Sequence, residues 1–180
     1  MPERNWHVIF TFTGQEEKLT KFIEQRLKGI NYELLIPRRE RYERKNGKME
    51  VVAKTLFPGY VFIKLIMTHK IFYTIRNIPR PTKILGISED GIKIISDEEM
   101  KPILDLTDDQ GVIRILKGIA VGSKVQIIDG AFKGYHGIVK EINKRQKAVK
   151  IELCMFNTCY KFILGIDIVK PVEEDKARIG

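Results

Sequence analysis

The chain has 180 residues, 31% of them charged and 43% hydrophobic, and its formal net charge is +9. This positive charge favours polyanionic partners and carries no information about the fold. No apolar run approaches the ~20 residues of a transmembrane helix and no signal peptide opens the chain, so we expect a cytoplasmic protein without a membrane partner. We also expect a monomer. Two cysteines, Cys154 and Cys159, are too few for a disulfide scaffold or, by themselves, a zinc site, and we expect both to be reduced.

The charge is distributed unevenly along the chain. Residues 119–170 contain nine Lys and Arg against four acidic residues, whereas residues 88–109 contain eight acidic residues. Such a shift beside Gly111 and Gly118 predicts a domain boundary. We therefore predict a first domain over residues 1–105, a linker over 106–118, a second domain over 119–172 and a tail over 173–180.

The first elements predict a sheet with a helix packed on it. Residues 6–12 alternate as in a strand with one aromatic face, formed by Trp6, Val8, Phe10 and Phe12. Thr13 and Glu16 have the spacing of a capping box, and an amphipathic helix of about four turns is expected to follow. Gly29 is positioned to end this helix, and residues 32–37 predict a second strand.

A strongly basic run follows, with six cations and two acids in residues 38–48. Asn46 and Gly47 both tolerate the positive φ of a type I′ turn, so residues 38–56 predict a charged β-hairpin. Its charges are equally compatible with protecting an edge strand against aggregation and with facing a nucleic acid.

The rest of the first half predicts a turn, a central strand and two short helices. Phe57-Pro58-Gly59-Tyr60 has Pro and Gly where a type II turn requires them, and residues 61–65 form an apolar strand. Thr68 is positioned to cap a helix that Pro79 ends. Short strands are expected on either side of the Asp90-Gly91 turn, and Ser96 with Glu99 predicts a second capping box before a helix containing Pro102.

The segment Val121–Ile142 is organised by four glycines that separate two short apolar runs: Gly122, Gly130, Gly134 and Gly137. Glycine at this spacing suits the tight turns and bulges of a small, curved sheet. The pattern resembles the KOW motif, a small β-barrel. Residues 149–155 add a further alternating strand, and residues 160–164 and 166–169 are expected to close the barrel.

No string of residues predicts catalysis. The three histidines, His7, His69 and His136, are far apart in sequence, and none of the common phosphate-loop, zinc-protease or nucleophile-elbow motifs occurs. We therefore expect a protein that is not an enzyme, with no cofactor and no metal.

Taken in order, the motifs resemble the NusG family of transcription elongation factors. The relevant residues are Trp6, the TGxE helix start (Thr13, Gly14, Glu16), Pro37, FPGYVFI (57–63), IRNIPR (75–80) and ISDEEM (95–100), followed by the KOW-like segment. The resemblance covers essentially the whole chain. It implies an α+β fold with an N-terminal antiparallel sheet flanked by helices, the NGN domain, and a small C-terminal KOW β-barrel.

The resemblance also implies binding sites. In the family, an aromatic-lined face of the NGN domain binds the clamp of RNA polymerase, and the matching residues are Phe10, Phe57, Tyr60, Phe62, Met100 and Ile103. Phe62 and Ile103 are equally compatible with plain core, whereas Phe57 and Tyr60 flank a turn and are expected to be exposed anchors. Arg76 and Arg80 match positions near the non-template DNA strand.

Two branches of the family remain open. The charge of the KOW segment, the 47–60 hairpin and FYTI (72–75) resemble the specialised antiterminator LoaP, which is recruited by a leader RNA hairpin. Members of the housekeeping branch use an aromatic near Phe156, here with Met155 beside it, to dock the Rho terminator or a small-subunit ribosomal protein. A ribosome-associated KOW protein is a third alternative.

The RNA-binding prediction depends on cations and rings around two adjacent turns: Lys133, Tyr135, His136, Lys140, Lys144, Arg145 and Lys147. Arginine can bridge phosphates, and rings can stack on the splayed bases of a hairpin loop. The alternative is that these lysines serve only solubility. One specialised relative, RfaH, keeps its KOW domain helical until recruited, but the glycines and β-branched residues here predict a constitutive β-barrel.

Overall fold

The computed structural model describes residues 3–79, 82–88, 91–121, 124–129, 139–155 and 158–169. The helices are α1 (Glu16–Arg26), α2 (His69–Arg76) and α3 (Asp97–Leu106). The strands of the first half are β1 (Asn5–Phe10), β2 (Glu33–Leu35), β3 (Arg38–Lys45), β4 (Lys48–Thr55), β5 (Tyr60–Leu65), β6 (Lys83–Ile84), β7 (Ile87–Ser88) and β8 (Gly91–Ile92). Those of the second half are β9 (Val112–Ile113), β10 (Leu116–Val121), β11 (Lys124–Asp129), β12 (Val139–Asn143), β13 (Ala148–Met155) and β14 (Thr158–Val169).

The N-terminal sheet has the strand order β2-β5-β1-β6, and β5 pairs antiparallel with both β2 and β1. Because successive side chains of a strand point to opposite faces, the sheet has two different surfaces. Ile9 and Ile63 face α1 and α2, whereas Trp6 and Phe62 face α3 and the C-terminal strands. The predicted α+β class and the alternation of β1 are confirmed, although β1 ends at Phe10 and Phe12 is exposed.

Helix α1 begins differently from the prediction. Its N-cap is Gln15, without a side-chain capping bond, so the capping box proposed for Thr13 and Glu16 is wrong. The Glu16 carboxylate is buried and instead accepts a hydrogen bond of 2.6 Å from the Gly59 backbone N–H. The Glu16 side chain is therefore held by a tertiary contact and does not form a local helix cap.

The charged hairpin is confirmed. Strands β3 and β4 pair antiparallel over eight residues each, and both turn residues have positive φ, 48° at Asn46 and 80° at Gly47. This is the backbone of a type I′ turn, which matches the twist of the flanking strands. On its other edge, β3 pairs in parallel with β9, inside the stretch predicted as a linker.

The turn at residues 57–60 requires a glycine at position 59. Gly59 has a φ of +84°, and a Cβ there would lie 2.7 Å from the Thr11 carbonyl oxygen. The Thr11 N–H donates to the Gly59 carbonyl at 2.8 Å, so the turn is fastened to the end of β1. A side chain at this position would break both the backbone geometry and this close approach.

The other helix starts are confirmed. Thr68 caps α2 by accepting from the Ile71 N–H, and Ser96 and Glu99 form a reciprocal capping box at α3. The short strands differ from the prediction: β6 pairs with β1, while β7 and β8 form their own hairpin. The turn residue Asp90 lies outside the described residues.

The C-terminal half forms a five-stranded sheet with the order β11-β10-β14-β13-β12, in which β10 and β14 are parallel. Its described residues are in β conformation, which agrees with the prediction and not with a helical hairpin. The expectation that both cysteines are reduced is wrong, because Cys159 is disulfide-bonded. The β13–β14 backbone register places Cys159 opposite position 154.

Candidate functional site

The six residues predicted to contact polymerase do lie on one side of the N-terminal sheet, but they are unequally accessible. Phe62, Met100 and Ile103 are fully buried, and Phe57 is only 7% exposed. Phe10 and Tyr60 are half-buried, and their rings form an edge-to-face pair with centroids 5.7 Å apart. Only this pair is therefore accessible without a rearrangement.

The cover over this face is strand β14. The Phe57 ring meets the rings of Tyr160 and Phe162 edge to face, each at a centroid distance of 5.4 Å. The Arg39 guanidinium lies 5.7 Å from the centroid of the Phe162 ring on the same seam. The predicted exposure of Phe57 is thus wrong in this structure, because the C-terminal domain buries it.

The hydrophobic core accordingly continues from one domain into the other. A single cluster joins Trp6, Phe57 and Phe62 of the N-terminal sheet to Phe162, Leu164 and Ile166 of β14. Beside it, a pocket of about 290 Å³ remains on the aromatic face, lined by Val8, Phe57, Tyr60, Phe62, Leu85, Gly86, Lys93, Ile95, Glu99 and Tyr160. This pocket marks the part of the face that β14 leaves open.

A second, polar contact between the domains lies on the hairpin. The Tyr42 hydroxyl donates to the Asp167 carboxylate at 2.9 Å, and the Lys147 ammonium donates to the other carboxylate oxygen at 3.1 Å. Lys147 also lies 4.7 Å from the centroid of the Tyr42 ring. Burial, with the hydrogen bond to Asp167, raises the pKa of Tyr42 to about 12. Although burial opposes the shift, the bonds from Tyr42 and Lys147 lower the pKa of Asp167.

The stretch predicted as a linker is fixed to the same hairpin. The Arg114 guanidinium donates to Glu40 at 2.9 Å and to Asp108 at 2.5 Å, while Glu40 also accepts from the Ile115 backbone N–H at 3.0 Å. Backbone hydrogen bonds from Val112 and Gln110, with the bond from Arg114, lower the pKa of Asp108. The chain between the domains is therefore tied to β3.

The backbones of β14 and β3 come close together at Gly165 of β14. A Cβ at this position would lie 3.2 Å from the Arg41 Cα, 3.4 Å from the Glu40 carbonyl oxygen and 2.2 Å from the Ile115 Cδ1. Two backbones can come this close only where one of them has no side chain. Gly165, Tyr160 and Phe162 were not among the predicted site residues, and their signal in the sequence is two aromatics at alternate positions of an apolar strand.

The structure treats the residues predicted to bind nucleic acid, and those predicted to dock a protein, in different ways. Lys144 and Arg145 are exposed on the β12–β13 turn and form no ion pair with any residue that the structure describes. Lys140 and Lys147 are already paired, with Glu152 and Asp167 respectively, both at 3.1 Å. Lys133, Tyr135, His136, Arg80 and Phe156 lie outside the described residues, as does the side chain of Met155, and Arg76 is exposed in the last turn of α2.

Within the described ranges, no three His, Cys, Asp or Glu side chains are grouped as metal ligands would be. None of the helices in those ranges is long and apolar enough to cross a membrane. An α+β domain with an aromatic face, followed by a basic β domain, is the arrangement that the resemblance to two-domain transcription factors with an NGN-type and a KOW-type half implies.

Comparison with known proteins agrees. The family described as transcription termination factor NusG matches residues 4–104, and the fifth KOW domain of the transcription elongation factor SPT5 matches residues 120–154. The chain belongs to the NusG family of transcription termination and antitermination factors.

The similar proteins include NusG of Bacillus subtilis, which is 30% identical over 162 residues, covering 86% of this chain and 90% of the relative. NusG of Staphylococcus aureus strain Mu50 is 31% identical over 161 residues, covering 85% and 87%. Among solved structures, one described as domain interaction in Thermotoga maritima NusG has a TM-score of 0.56 at 24% identity, covering 91% of this chain and 94% of that one. It supports the fold.

Proposed function

We propose that this chain is a specialised antitermination factor that binds the RNA polymerase clamp through its N-terminal aromatic face and a leader RNA hairpin through its basic C-terminal domain. The main support for polymerase binding is the Phe10–Tyr60 pair, which is half-buried beside an open pocket of about 290 Å³. Large aromatics next to an apolar pocket are typical of the central anchors of protein interfaces.

Full use of the six clamp-binding residues requires the domains to separate. Phe57, Phe62, Met100 and Ile103 are buried in the cluster that includes β14. A partner can reach them only in molecules from which β14 has moved away, so its apparent affinity is reduced by the fraction of such molecules. Polymerase therefore selects the open arrangement.

The RNA half of the proposal is supported by Lys144 and Arg145, which are exposed and carry no ion pair among the described residues. An unpaired guanidinium can bind phosphate in a bidentate manner without first breaking an internal ion pair. The proposed RNA set also includes Lys133, Tyr135, His136, Lys140 and Lys147, and Arg76 with Arg80 are proposed to lie near non-template DNA.

The polymerase contact is tested by Tyr60→Ala, with Tyr73→Ala as the matched control. Tyr73 is 51% exposed on α2, on the other side of the sheet, so its truncation should leave binding to core polymerase unchanged. Loss of an aromatic anchor should weaken binding by roughly 30-fold or more, equivalent to about 2 kcal/mol. The thermal midpoint should stay close to that of the parent chain. Equal binding by both variants, or unfolding of the Tyr60 variant alone, would contradict the assignment.

The RNA partner is tested by sequencing the RNA that co-purifies with the tagged chain from cells. We expect a few leader RNAs with hairpins, lost from the Lys144→Glu/Arg145→Glu variant while polymerase still co-purifies. Lys147 is left unchanged because it also holds the two domains together.

The housekeeping role is the second candidate, because the curated relatives at about 30% identity are themselves named NusG. In that case Met155 and Phe156 would dock Rho or a small-subunit ribosomal protein. Binding of either purified protein, together with no enrichment of particular RNAs, would favour this role.

A further inference from the structure

A groove between the two domains holds basic residues from both. It lies between the β3–β4 hairpin and the β12–β13 turn, has a volume of about 390 Å³, and is lined by Arg41, Tyr42, Glu43, Arg44, Met49, Arg145, Gln146, Ala148 and Ile163. The first five residues belong to the N-terminal domain and the other four to the C-terminal domain. The groove therefore exists only while the domains are docked.

The groove carries an excess of positive charge. Three guanidinium groups line it against one carboxylate, and that carboxylate, Glu43, is paired with Arg41. Arg44 and Arg145 are exposed and have no ion-pair partner in the part of the chain that the structure describes. These two groups, one from each domain, are available for phosphate oxygens, which planar guanidinium binds bidentately.

The positive charge continues along both rims of the groove. Lys45 and Lys48 flank the hairpin turn, and Lys144 precedes Arg145 on the opposite rim; all three are exposed. A line of separated cations suits the repeating phosphates of a nucleic acid better than a single small anion. Two rims of like charge facing each other also repel, so an anionic chain between them would relieve an unfavourable interaction.

The groove also has an apolar floor. Met49 and Ile163 line it and are 43% and 44% exposed. The Tyr42 ring beside them is fixed by Asp167 and Lys147. Apolar and aromatic surface between phosphate-binding groups can receive bases or sugars, as in proteins that bind unpaired RNA.

We propose that RNA binds across this groove, so that the site is shared by the hairpin of the N-terminal domain and the turn of the C-terminal domain. The inference deepens the proposed function and rests on it. It assigns a phosphate contact to Arg44 of the hairpin, whose charges are compatible from sequence with both edge protection and nucleic-acid binding. Because RNA needs the docked domains and full use of the polymerase-binding face needs them apart, each lowers the affinity of the other by the same factor.

The first experiment measures binding of the full chain to a fluorescently labelled RNA hairpin between about 50 and 200 mM salt, for the parent chain, Arg44→Glu, Arg145→Glu and the control Lys21→Glu. Lys21 is exposed on α1, on the opposite side of the sheet, and the control changes the charge by the same amount. We expect Arg44→Glu and Arg145→Glu each to weaken binding roughly tenfold and to reduce the salt slope by about 1, with Lys21→Glu within twofold of the parent.

The possible results distinguish the shared groove from the RNA-binding function as such. If Arg145→Glu loses affinity while Arg44→Glu matches Lys21→Glu, the shared groove is refuted and the proposed RNA-binding function stands. If the parent chain does not bind the hairpin, or no variant differs from Lys21→Glu, both fail.

The second experiment adds saturating hairpin to a titration of the chain with core polymerase. The proposal expects weaker polymerase binding in its presence for the parent chain and no such effect for Arg44→Glu. Unchanged or tighter polymerase binding would overturn the shared site.

Discussion

Gly165→Ala should loosen the contact between the domains without damaging either one. The added Cβ meets the Ile115 Cδ1 at 2.2 Å, which rotation of that side chain relieves, but also the Arg41 Cα at 3.2 Å and the Glu40 carbonyl oxygen at 3.4 Å. These last two contacts are with backbone, so β14 and β3 must move apart by a few tenths of an ångström. The substitution should weaken docking and not the strand itself, because Gly165 has an ordinary strand conformation that alanine can adopt.

The magnitude follows from the cost of overpacking, about 1–3 kcal/mol. This is equivalent to a shift of about 5- to 150-fold from docked towards separated molecules. Apparent affinity for polymerase should rise by up to the same factor, limited by the fraction of the parent chain that is already open.

Biolayer interferometry with core polymerase measures this change, and small-angle X-ray scattering reports the radius of gyration independently. Adding Ile115→Val removes Cδ1, the atom at 2.2 Å, and should restore little of the docking, because the two backbone contacts remain. An increased radius of gyration with unchanged or weaker polymerase binding would refute the idea that β14 covers the polymerase-binding face.

Three further predictions concern the turn, the polar contact and the C-terminal sheet. Gly59→Ala places a Cβ only 2.7 Å from the Thr11 carbonyl oxygen at a positive φ, so we expect a loss of about 2 kcal/mol or more and a fall of about 4–8 °C in thermal midpoint. Gly14→Ala, with φ +81° but no atom within 4 Å, should cost less, and equal falls would contradict the role of the overlap. Because the pKa of Tyr42 is raised, its contribution to docking is complete below the unfolded value of 10.0 and is lost as pH rises towards about 12. X-ray scattering across this range should show that the parent chain opens and that Tyr42→Phe opens less. Identical scattering curves for the two proteins would exclude Tyr42 as the cause. Far-UV circular dichroism of the full chain and of Gly165→Ala should show the same helix content, whereas a gain in helix on opening would mean that the C-terminal sheet refolds when released.

Local sequence patterns determined most of the elements of this protein. Asn46-Gly47 fixed the hairpin, because only a few residues accept two consecutive positive φ values, and Thr68 and Ser96 fixed two helix starts through bonds that span three residues. The order of these motifs also indicated the family and both halves of the fold. Each of these inferences depends on residues close together in the chain, where spacing alone constrains geometry.

Only the tertiary structure decided which surfaces are exposed. Phe57 flanks a turn in sequence, but Tyr160 and Phe162, about a hundred residues later, bury it. Glu16 has the spacing of a capping residue but bonds to Gly59. The groove between the basic hairpin and the basic turn also depends on tertiary structure. Arg44 and Arg145 line it together because Gly165 lets β14 approach β3. Burial and composite sites depend on contacts between distant residues, and periodicity within one segment carries no information about its partner.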